Sequence, residues 1–204
     1  MQATCLAVSR PVALRLVCDI AALRNFQLQF PASLIKSLKT MKPVKTKSAA
    51  STSPEKQLAG FIAKFEPANA KLIRECRAEM RKLLPTANEL VYDNYNFFVI
   101  GYATTERASN CILSIAAAAN GVILSFYHGA TLPDPNHLLL GNGKQNRFVR
   151  LPDAGTLRLP GVLALINTAA AQTKPSLPAK GCGQTIIKSI SAKQRPRRKA
   201  PSAA

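Results

Sequence analysis

Tyr127, His128, Asp134 and His137 fall close together in one stretch, and imidazole, phenol and carboxylate are groups that iron or zinc accepts. Their spacing matches no metal motif, and each has a plainer role. Asp134 before Pro135 can make an Asx turn, and His128 can satisfy a neighbouring carbonyl. Immediately after comes Gly141-x-Gly143-Lys144-x-x-Arg147, where glycines open backbone amides to an anion and two cations add charge. It is not a nucleotide-binding P-loop. Leu138 stands where the first glycine is required, and Gln145 stands where Ser or Thr would follow the lysine. The other reading is a glycine turn into a strand, its cations solvated or paired to Asp134. Ser125 lies in no nucleophile elbow, and neither histidine has a Cys or Ser at a signature distance. Glu89, Asp93 and Glu106 are scattered over turns and strand ends, and Glu75 and Glu79 sit among Lys71, Arg74 and Arg77. These patterns point to binding rather than catalysis, with no catalytic residue, metal site or cofactor nominated.

The elements that would position these groups are legible from periodicity. Ser53 is placed to cap a helix with Pro54 at its first position, and Leu58, Phe61, Ile62 and Phe65 share one helical face. Pro67 opens a second helix with Ile73, Cys76, Met80, Leu83 and Leu84 along one stripe, and Pro85 ends it. Short apolar runs follow at 89–92, 95–102, 110–116, 122–128 and 145–151, with turns at Asp93-Asn94 and Asn120-Gly121. Helical spacing returns from Pro160 to Gln172 through Val162, Leu165, Ile166 and Ala169. The expected fold is α+β: an antiparallel sheet of about five strands, with two amino-terminal helices and one carboxy-terminal helix packed on it. Tyr92, Tyr95, Phe97, Phe98, Tyr102, Phe126 and Tyr127, with Arg147 and Arg150, would suit a nucleic-acid stacking surface. Strand aromatics are more often core, and most of these are expected under the helices.

The 204 residues carry 28 Lys and Arg against 10 Asp and Glu, a net charge of +18. Residues 1–54 hold eight basic residues against Asp19, residues 55–172 hold twelve against nine, and residues 173–204 hold eight against none. The excess therefore sits at the ends. The expected organisation is a basic, disordered extension over 1–53, a folded domain over 54–172 and a basic, disordered tail over 173–204, with a short helix around Ile186–Ala192 as one alternative. The apolar, Arg-containing start is either a presequence or lies ahead of a true start at Met41. Arg195, Arg197, Arg198 and Lys199 are the expected contact for nucleic acid, nonspecific and salt-sensitive. Five cysteines without a paired spacing fit a reducing compartment, and no apolar run is long enough to span a bilayer, so a cytoplasmic location without membrane contact is expected.

The segment from Leu58 to Ala171 resembles the YdhG-like family, a domain of unknown function. The residues that carry the likeness are Gly129-Ala130, Leu132, Asp134-Pro135, Leu138-Leu139, Gly141-Asn142-Gly143-Lys144, Arg147 and Arg150-Leu151, in family order and spacing. Many members have Gly-x-Pro-x-aromatic after the first strand, and this chain has Asp93-Asn94-Tyr95-Asn96-Phe97 instead. A bacterial member is described as a frataxin-like iron chaperone, so the resemblance implies iron handling as one activity. The residues themselves favour a non-enzymatic binding module for a small anionic ligand or a partner protein. Its expected site comprises Tyr92, Tyr127, His128, Lys144, Arg147 and Arg150, on a loop shaped by Gly129, Asp134, Pro135, Gly141 and Gly143.

Overall fold

The computed structural model describes residues 53–198. The expected extension, the alternative start at Met41, and Lys199 lie outside the described residues, apart from Ser53. The Ser53 hydroxyl accepts from the Lys56 amide and starts α1 (Pro54–Ala63), which buries Leu58, Phe61 and Ile62. A second proline start opens α2 (Pro67–Leu83), whose buried stripe is Ala70, Ile73, Cys76 and Met80. Arg81 and Lys82 occupy its last turn, where the helix dipole favours cations.

Four antiparallel strands follow: β1 (Asn88–Asp93), β2 (Phe98–Ala103), β3 (Cys111–Ala118) and β4 (Gly121–Phe126). The Asn94 amide donates to the Phe97 carbonyl between β1 and β2, and a two-residue turn joins the Ala118–Gly121 pair. After a long loop, β5 (Arg147–Leu151) pairs with β4, and α3 (Pro160–Gln172) returns over the sheet. The core lies between the helices and one sheet face. There Phe98 meets Phe61 and Phe65 at ring separations of 6.2 and 6.0 Å, and Ile100, Leu113, Ile115, Leu124 and Phe126 fill the interior.

The α+β class and the three helices stand as expected, but the sheet has six strands in the order β5-β4-β3-β2-β1-β6. The sixth, β6 (Thr185–Ile190), comes from the segment read as a disordered tail with a short helix. It pairs with β1 in parallel, so the sheet is mixed. The physical reason is local: Thr185, Ile186 and Ile187 are a β-branched run suited to a pleated surface, and β1 offers it an open edge. The folded unit therefore passes Gln172 and includes most of the basic tail.

Candidate functional site

Strand register decides which expected site residues meet. Arg150, Ile123, Ala116, Val99 and Tyr92 form one cross-strand row on the sheet face away from the helices. Four strand spacings of about 4.8 Å separate its ends, so Tyr92 and Arg150 stand about 19 Å apart. Tyr92 and Tyr127 instead pack together against Leu90, Ala103 and Cys111. Burial pushes both phenols above their ordinary value and the Cys111 thiol up to about 12. The expected six-residue pocket is thus divided.

The loop residues hold the loop. Asp134 accepts from the amides of Leu138 and Leu139 at 2.9 and 2.7 Å, which engages both carboxylate oxygens. Gly129 lies so close to β5 that a Cβ there would come within 2.5 Å of the Arg147 Cβ, a crossing that only glycine permits. Arg147 donates to the carbonyls of Gly143 and of Asn146, the latter at 2.9 Å. The glycine loop thus turns a carbonyl, not an amide, toward this cation, which does not suit an anion cradle. Lys144 is exposed on that loop, as are Pro135 and Gly141.

His128 belongs to a different place. It lines a cavity of about 350 Å³ between the start of β3, the end of β4, the turn at Gly129–Thr131 and the last turn of α3. Ile112, Phe126, Leu132 and Ala169 give the cavity an apolar floor. Ser109, Thr131, Gln172 and Thr173 supply polar groups, His128 adds an imidazole, Lys174 supplies a cation, and no carboxylate lines it. Lys174, just past α3, carried no sequence signal beyond its charge.

Sequence reasoning also missed the two charged clusters under the β1 edge. Glu89, 2% exposed, accepts from the Arg77 guanidinium at 2.6 and 3.0 Å. Arg77 also holds Glu55 at 2.7 Å, and Arg81 lies 3.1 Å from Glu89. The Arg77 hydrogen bonds hold the Glu55 carboxyl at about 2. At the other end of β1, fully buried Asp93 takes Arg197 at 3.0 Å on one oxygen and Lys64 at 2.5 Å on the other. The signal available was a pair of carboxylates bracketing the apolar run Leu90-Val91.

This pairing engages one of the four tail residues expected to contact nucleic acid. Arg197 is 4% exposed and engaged by Asp93, and Arg195 lies over the Tyr95 ring at 5.6 Å, while Arg198 remains exposed. Among the described residues no three His, Cys, Asp or Glu side chains gather as a metal site would require, and no helix is long and apolar enough to cross a membrane. Compared with family models, curated proteins and solved structures, the chain finds no match.

Proposed function

We propose that this chain is a non-enzymatic binding module, and that its ligand is a small anion with an apolar body held in the cavity beside His128. The observation that carries this reading is the composition of the lining: the Lys174 cation and the His128 imidazole, no carboxylate, and a floor of Ile112, Phe126, Leu132 and Ala169. Such a site would desolvate an apolar body while leaving the charged head near Lys174 and the imidazole, close to water. Its volume suits a molecule of modest size. Catalysis has no comparable support, because the cysteine in the lining, Cys111, is held in its protonated form at neutral pH by burial.

Thermal shift with octanoate and benzoate at neutral pH tests the proposal. The unaltered chain is expected to gain stability with at least one of them, and a double variant, His128→Ala with Lys174→Ala, is expected to lose that gain. No shift with either acid, or an equal shift in the double variant, would overturn it. Ferrous iron belongs in the same assay. A metal-dependent shift that survives the double substitution would favour the iron-handling reading implied by the family resemblance.

A further inference from the structure

Residues 184–198 are attached to the rest of the chain much as a peptide is attached to a receptor. Their backbone adds to the open edge of β1, with Thr185 opposite Glu89 and Ile190 opposite Asp93. Beyond the strand, the Ser191 amide donates to the Asp93 carbonyl and the Arg195 amide to the Tyr95 carbonyl, each at 2.9 Å. Side chains enter two sockets. At one end the Thr185 hydroxyl sits 2.8 Å from a carboxylate oxygen of Glu55 and another of Glu89. At the other, the Arg197 guanidinium donates to Asp93, to the Asn96 carbonyl at 2.8 Å and to the Asn94 carbonyl, with the Phe65 ring 5.8 Å away. Main-chain pairing plus side-chain sockets is the arrangement of strand-addition recognition.

Two observations make this segment separable from the core. Of residues 185–198, Arg197 alone is buried, whereas every residue of β2 is. Little apolar surface is therefore exposed when the segment leaves, which places it at the low end of local stability. Each socket also keeps a cation afterwards, since Lys64 stays on Asp93 and Arg77 stays on Glu89. Departure strands no buried charge, so the groove outlasts its occupant.

We infer that the β1 edge with its two carboxylate sockets is a recognition groove for an extended, arginine-bearing segment of a partner protein, closed in this chain by its own carboxy-terminal segment. The placement of hydrogen-bond acceptors selects the partner's chemistry. Glu55, Glu89, Asp93 and the carbonyls of Asn94 and Asn96 line the sockets, so the incoming strand needs a hydroxyl near its start and an arginine beyond its end. The tethered segment competes at an effective concentration on the order of millimolar. A partner must outbid that tether or act when it is released.

The test is fluorescence anisotropy with a labelled peptide of residues 184–198, added to the full chain and to the full chain carrying Arg197→Ala. The native peptide is expected to bind the variant at least tenfold more tightly than the unaltered chain, and a peptide carrying R197A is expected to bind neither. Equal binding of both peptides, or no binding to either chain, overturns the inference. If Arg197→Ala does not fold, hydrogen exchange on the unaltered chain decides. Amides of β6, Ser191 and Arg195 should exchange at least tenfold faster than those of β2 and β3, and equal rates overturn the proposal. Concentration-dependent dimers abolished by R197A would make a second copy the occupant and overturn the assignment to a foreign segment.

Discussion

A carboxylate carried into a sheet's interior needs a cation there, and Glu89 draws Arg77 as a two-pronged partner, with Arg81 behind it. Arg77 is the residue on which that corner depends, because it also reaches Glu55 and so ties α1 to α2 and β1. Replacing it with Met keeps much of the side-chain volume and removes the charge. Breaking a buried pair from one side costs about 3–5 kcal/mol, and Arg81 should hold the loss near the lower figure. Urea denaturation of Arg77→Met against the unaltered chain checks it. Glu55 makes a pH prediction. Its carboxyl is held at about 2 against an ordinary 4.5, so its contribution is complete above 4.5 and disappears as pH falls through about 2. Thermal melts between pH 6 and pH 2 should therefore show a slope that Glu55→Gln reduces. Because Glu55 is half-exposed, solvent screening keeps that effect small.

At the scale of elements, both helices of the amino-terminal half, the third helix and the first five strands were readable in the sequence. Proline starts, a serine cap and apolar periodicity are local signals, and local signals survive without knowledge of the fold. What was not readable is non-local. Thr185–Ile190 is flanked by Pro, Gly and Lys, and its role as a strand depends on an edge of β1 almost a hundred residues earlier. The same holds for Arg197, whose socket is the turn at Asp93–Phe97, about a hundred residues earlier in the chain. The expected pocket failed for a related reason: side chains adjacent along a loop, such as Lys144 and Arg147, need not face the row that holds Tyr92. Gly183 gives β6 a sharp test. A Cβ at that position would fall 1.7 Å from the Ala87 carbonyl oxygen, so the connector crosses backbone where only glycine fits. Gly183→Ala must shift or release the start of β6, at a cost of about 1–3 kcal/mol, and raise hydrogen exchange in β6 while leaving β3 protected.

For the molecule as a whole, the question is whether the core behind the helices and the small cluster on the opposite face melt together. Two cysteines report on them separately. Cys76 is fully buried on the core-facing stripe of α2 and Cys111 lies in the cluster with Leu90 and Ala103, while Cys182 is exposed in the connector before β6. Burial raises the thiols of Cys76 and Cys111 to about 12, so neither supplies reactive thiolate at neutral pH while folded. In a chain with Cys5 and Cys18 replaced by Ser, a thiol reagent should modify Cys182 at once. The other two should react slowly and at one common rate, set by global unfolding. A Cys111 rate well above that of Cys76 would mean that the face bearing Tyr92 and Tyr127 opens on its own.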